Sequence, residues 1–187
     1  MKYLLFITIL SFFNLNLIKY ELPKGNIKWS VKKPNNVKMC IPAAFTDVNG
    51  KVLGSYKLNG KIYQNNSKQK ISLIKDSFVI NNKWQSSNGF QQFCLVNNKI
   101  PEKFIDTKKC KRRALCKTES ETFILESRFP ITLNKFAKLC SQKCDYAIYL
   151  DMGEYGYGYI KNNNKTYHLH LLGYFTKNKQ TNWIYIE

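Results

Sequence analysis

Arginine and acidic residues are scarce in this chain. Only Arg112, Arg113 and Arg128 are arginines, and 12 acidic residues stand against 30 basic ones, for a net charge of +18 over 187 residues. Such an imbalance excludes a neutral surface and favours anionic partners such as phosphate esters, nucleic acid or acidic glycans. Because nearly all the cations are lysines, in a chain also rich in asparagine and isoleucine, AT-rich codon usage accounts for the excess as well as a basic footprint does. No patterned helix carries a basic face, so nucleic-acid binding has bulk charge alone behind it, and no specific nucleic-acid partner is expected. No apolar run outside the N-terminus is long enough to cross a membrane. Repeats and linkers are also absent, which excludes solenoids and favours one domain at this length. With 44% hydrophobic residues the chain has the means to fold.

The N-terminus does carry a signal. Lys2 precedes the apolar stretch Tyr3 to Phe13, the layout of a secretory signal peptide. No small-x-small triplet marks a cleavage point before Lys19-Tyr20, so the division expected is a signal peptide over residues 1–19 and a single domain over 20–187. An uncleaved anchor is the competing reading. Export places the mature protein outside the cytoplasm, secreted or periplasmic. Cys40, Cys94, Cys110, Cys116, Cys140 and Cys144 form an even set in such a chain and read as at least one disulfide, of unspecified pairing. No Cys-x-x-Cys pair supports zinc, and no metal or cofactor is expected.

Turn chemistry divides the remainder. Val37 to Phe45 is apolar enough for a buried strand. Asn59-Gly60 between Val52–Leu58 and Lys61–Tyr63 signals a hairpin. Residues 71–80 and 90–96 are further strand candidates, and 114–118 with 122–127 bracket a polar turn. Thr132 is a good N-cap, and Leu133, Phe136, Ala137 and Cys140 recur at helical spacing, so a helix is expected over 132–142. Tyr146 to Leu150 is a continuous apolar run, and the tail reads as a meander ending at Trp183–Ile186. The fold class expected is α+β: a single domain with a mixed or antiparallel sheet core and one main helix packed on it.

Asp151 follows the apolar run directly and leads into Met152-Gly153-Glu154. A carboxylate at the end of a buried strand, beside a glycine turn, is a common position for a functional group, although on pattern alone capping a turn is the better reading. Burial would raise its pKa and an arginine would lower it, leaving an acid role and a charged ligand-binding role both open. Tyr155, Tyr157 and Tyr159 suit either sugar stacking or cross-strand packing. His168-x-His170 has no acidic partners nearby and reads as an exposed strand face. Asn65 and Asn164 head glycosylation sequons, meaningful in a eukaryotic source.

The run Ile131-Thr132-Leu133-Asn134-Lys135-Phe136-Ala137, then Cys144-Asp145-Tyr146-Ala147-Ile148-Tyr149-Leu150-Asp151, resembles the phosphodiester glycosidase family, whose activity removes N-acetylglucosamine from a phosphodiester on mannose. Cys40 to Phe45, Gly50 to Lys61, Phe90 to Ile100 and Arg112 to Leu115 are similar to upstream blocks of that family in the same order, so the resemblance spans about residues 37–187. It departs where Pro42 (or Ala43, one register away) replaces the family asparagine and where Gln92 or Phe93 replaces a glycine. Paired glycines have also become Met152-Gly153. Losing glycines beside a ligand narrows the pocket, so the fold should survive better than the activity.

The resemblance implies an exported glycosidase-like protein acting on or binding a glycosyl phosphodiester or related anionic glycan. It gives Asp151, with Asp47 or Glu154 as the second carboxylate, the catalytic roles, and Arg112, Gly153 and Tyr155 the substrate contacts. The alternative is a catalytically inactive cationic envelope protein that binds anionic glycan or serves as a scaffold.

Overall fold

The computed structural model describes residues 16–47, 49–63, 87–152, 157–162, 165–169 and 182–187. The strand expected over 71–80, Gly153, Glu154, Tyr155, His170 and the asparagines of both sequons lie outside the described residues. The first half contributes β1 (Leu17–Glu21), β2 (Lys28–Ser30), β3 (Met39–Pro42), β4 (Tyr56–Leu58), β5 (Lys61–Tyr63), β6 (Gly89–Phe90), β7 (Cys94–Asn97) and β8 (Ile100–Pro101). The second half contributes β9 (Arg113–Lys117), β10 (Thr122–Ser127), helix α1 (Leu133–Ser141), β11 (Tyr146–Leu150), β12 (Tyr159–Asn162), β13 (Lys165–His168) and β14 (Trp183–Ile186).

These strands form three sheets rather than one core sheet. A first sheet runs β1-β10-β9-β11-β7-β8, a second β13-β12-β3-β14-β2, and a small third β5-β4-β6. Every pairing among the described residues is antiparallel. The α+β description therefore holds in a sheet-dominated form. Strand alternation builds the layers. From β9 and β11, Leu115, Ile148 and Leu150 turn towards the second sheet and pack with Ile41, Ile160, Ile184 and Ile186. Ala114, Cys116, Ala147 and Tyr149 turn the other way and pack under Leu133, Phe136, Ala137 and Cys140 of α1. The Thr132 side chain accepts the Lys135 N–H as the N-cap.

Asn59 and Gly60 both take positive φ, 50° and 82°, and close the β4–β5 hairpin in the primed-turn conformation that their sequence predicts. β1 was not expected. Its residues pair with β10 from Leu17↔Ser127 to Glu21↔Phe123, so a boundary after Lys19 falls inside a strand.

None of the six cysteines is in a disulfide, a correction to the expectation drawn from their even number. Most lie on separate elements, and the three that converge remain thiols. Cys116 hydrogen-bonds Cys140 and Cys144 beneath α1, and Cys144 Sγ donates to the Cys140 carbonyl at 3.2 Å. Burial pushes the Cys40 thiol up to about 12 and raises that of Cys116 as well. Since the thiolate is the reactive form, brief alkylation of the native protein near neutral pH should label the half-buried Cys94 and Cys110 and spare Cys40, Cys116 and Cys140. Peptide mass mapping checks the order.

Candidate functional site

The carboxyl end of β11 is where the blocks of the sequence meet. Leu150 pairs with Arg113, so Asp151 follows opposite Arg112. The Asp151 N–H donates to the Ala43 carbonyl at 2.9 Å, and the Tyr149 N–H donates to the Phe93 carbonyl at 2.9 Å. The loop after β3, the approach to β7 and the start of β9 thus converge on one strand end. Asn182, fully buried, fixes the first of these loops. Its Oδ1 accepts the Ala44 N–H at 2.7 Å and the Trp29 indole N–H at 3.2 Å, and its Nδ2 donates to the Ala44 carbonyl at 2.9 Å.

Tyr149 and Asp151 share the helix-facing side by strand alternation, and Arg112 joins them there. Arg112 is buried at 5% exposure, and its guanidinium is occupied. Nε donates to the Ile131 carbonyl at 3.3 Å and Nη1 to the Tyr149 hydroxyl at 3.1 Å. Nη2 donates to Asp106 Oδ2 at 2.8 Å and to the Lys108 carbonyl at 2.7 Å. A guanidinium has five N–H donors, so at most one is left for a ligand. Burial opposes the Arg112 charge, but the bonds to Tyr149 and Asp106 outweigh it and its pKa stands above the usual value. Asp106 is held below the usual carboxylate range by the Lys108 backbone N–H and then by Arg112.

Tyr149 bonds Arg112 and feels the charge of Asp151, and the sequence pattern marks it only as a strand residue. Burial pushes its hydroxyl up to about 12, Arg112 pulls the other way, and the Asp151 charge adds to the rise. Its ring lies 5.3 Å from Phe45. Asp47 is placed differently. One carboxylate oxygen accepts the Asn49 and Lys51 N–H groups at 2.9 Å each, so it caps its own turn after β3. Gly153, Glu154 and Tyr155 lie outside the described residues. Gln92 is 1% exposed and its Nε2 has no hydrogen-bond partner, while its Oε1 accepts the Phe93 N–H. It is a buried donor at the approach to the same strand end. Among the described residues no cluster of three His, Cys, Asp or Glu side chains is arranged to hold a metal ion. Among them, too, no helix is long and apolar enough to cross a membrane.

No family model matches the chain, and no curated protein sequence does. The fold does have a match among solved structures. The catalytic domain of zebrafish N-acetylglucosamine-1-phosphodiester alpha-N-acetylglucosaminidase, auto-inhibited by its pro-peptide, superposes with a TM-score of 0.60 at 12% identity, covering 92% of this chain and 82% of that one. The chain has a divergent phosphodiester glycosidase-like fold.

Proposed function

We propose that this protein binds a glycosyl phosphodiester or related anionic glycan at the carboxyl end of β11, with hydrolysis weak or absent. The commitment of Arg112 carries the weak turnover, and the phosphodiester glycosidase-like fold supports the ligand class. A phosphate clamp needs its planar fork open to the ligand, whereas here four donors serve Ile131, Tyr149, Asp106 and Lys108. Asp47 is likewise spent on its turn. Asp151 stays at the strand end as the carboxylate to orient a sugar or to steady positive charge at its anomeric carbon. Gln92 offers N–H donors to a ligand oxygen, and Glu154, Gly153 and Tyr155 follow in sequence as further contacts. The inactive glycan-binding alternative is favoured by the same guanidinium, which acts as a structural tie. Export belongs to this proposal and is supported by Lys2 and its apolar stretch; the mature chain would begin ahead of Leu17, because β1 starts there.

The test pairs calorimetric binding of the methyl phosphodiester of N-acetylglucosamine with a hydrolysis assay on the same samples. The wild type should bind with turnover near background, and Asp151→Asn should weaken binding. Arg112→Ala should lower folding stability by about 2–4 kcal/mol, because it strands buried acceptors. Rapid hydrolysis abolished by Asp151→Asn would overturn the claim of weak turnover, and failure of the wild type to bind would overturn the ligand.

A further inference from the structure

A concavity lies between β1 of the first sheet and the β12–β13 hairpin of the second. Its volume is about 340 Å³, and Lys19, Tyr20, Glu21, Ile160, Asn162 and Tyr167 line it. Among the described residues β1 is the outer strand of the first sheet and β13 that of the second. Ile160 and Tyr167 are cross-strand partners, and by alternation Asn162 shares their face. Ile160 is buried and forms the floor, while Tyr167 is 47% exposed and stands at the rim. Tyr20 forms the inner wall. Burial raises its phenol pKa first, Glu126 adds to the rise, and Arg113 and Arg128 oppose it.

Charge decides the ligand class. Lys19 does not offer a free cation, since its Nζ bonds Glu121 at 2.6 Å and lies 4.4 Å from the centre of the Phe123 ring. Lys19 and Glu21 pair with Leu125 and Phe123 and turn their side chains to the helix side of β1, so neither charge faces the cleft. On a protein of net charge +18 this cleft is therefore a place where a phosphate gains no free cation from the lining. What it offers is two phenol rings and an amide. Aromatic faces take the C–H face of a pyranose, and an amide takes its hydroxyls. The volume falls at the small end of the range for ligand pockets, about 300–1,000 Å³, which suits one or two sugar rings.

We propose that this cleft is a binding subsite for a neutral saccharide, separate from the Asp151 end. It does not rest on the function proposed above. Among the described residues no strand pairs with the outer edge of β1, which makes an extended peptide the competing occupant. The experiment follows the Tyr167 and Asn162 signals by NMR while chitotriose, mannotriose or maltotriose is added at millimolar concentration. At least one sugar should shift both signals, and Tyr167→Ala should weaken its binding about tenfold or more. Tyr167 is half-exposed, so the variant should keep its melting temperature, which calorimetry confirms on the same sample. Asn162→Ala supplies a second, independent loss. The proposal is overturned if no sugar shifts these signals, if both variants bind as the wild type does, or if an added extended peptide occupies the cleft and the sugars do not.

Discussion

Arg113→Met is expected to destabilise the protein by about 3–5 kcal/mol. Arg113 points to the opposite face of β9 from Arg112, into the layer between the two large sheets. It is 0% exposed and its partner Glu126 is 1% exposed. Nε and Nη2 both donate to Glu126 Oε2, at 3.0 and 2.9 Å, and Nη1 donates to the Tyr157 carbonyl at 2.7 Å. Leu115, Ile124 and Leu150 belong to the same layer. Water does not screen this pair, so removing the guanidinium leaves a carboxylate buried among apolar side chains. Adding Glu126→Leu should recover most of the loss, because an apolar pair of similar volume carries no desolvation cost. Urea denaturation of the two single variants and the double variant measures this directly. A loss below about 1 kcal/mol in Arg113→Met, the range of a surface pair, would show that water reaches Glu126. Tyr20 gives an independent readout, since its phenol is raised by Glu126 and lowered by Arg113. Its pKa should rise further in the single variant.

The fold was most legible where local chemistry and burial agree. The Asn59-Gly60 hairpin, the β9–β10 hairpin, the helix from its Thr132 cap and the buried run into Asp151 were all readable, because their turn residues and periodicities serve the final packing. β1 and β2 were not. Leu17–Lys19 continue the apolar N-terminus, and the polar stretch after them conceals Trp29, which is buried against Tyr56 and Phe90 and gives its indole N–H to Asn182, far along the chain. The β7–β8 turn was also hidden, because Asn98 and Lys99 take φ of 49° and 66° without a glycine. Lys99 holds that conformation through its N–H bond to the Asp145 carbonyl at 2.8 Å and an ion pair with the Asp145 carboxylate at 3.4 Å. The candidate site was half-legible for the same reason. Order along the chain placed Arg112 and Asp151 on neighbouring strands. It carried no sign that Asp106 and Lys108 fold back on the guanidinium, or that the Tyr149 hydroxyl accepts from it. The first are contacts of an irregular segment, and the second crosses from one strand to another, which neither periodicity nor turn chemistry encodes.

Phe136→Ala should cost about 3–5 kcal/mol as well, by a different route. Phe136 is 0% exposed at the middle of the apolar face of α1, in one cluster with Leu95, Ala147 and Tyr149 of the first sheet. α1 has 9 residues and carries no acidic side chain in its first turn to complement its dipole. A helix this short is marginal alone, so packing holds it in place. Truncating the ring removes its transfer energy and leaves a cavity that the strands beneath cannot close, because their backbone hydrogen bonds fix their spacing. Phe136→Leu, closer in volume, should cost less. The two variants also separate stability from ligand binding. Tyr149 is held from above by α1 but also by Phe45, whose ring centre lies 5.3 Å from its own, and by the Arg112 bond at 3.1 Å. Phe136→Leu should therefore keep its affinity for the phosphodiester probe, with the loss appearing only in the denaturation midpoint. A stability loss near zero for Phe136→Ala would mean that the apolar face of α1 does not bear on the sheet.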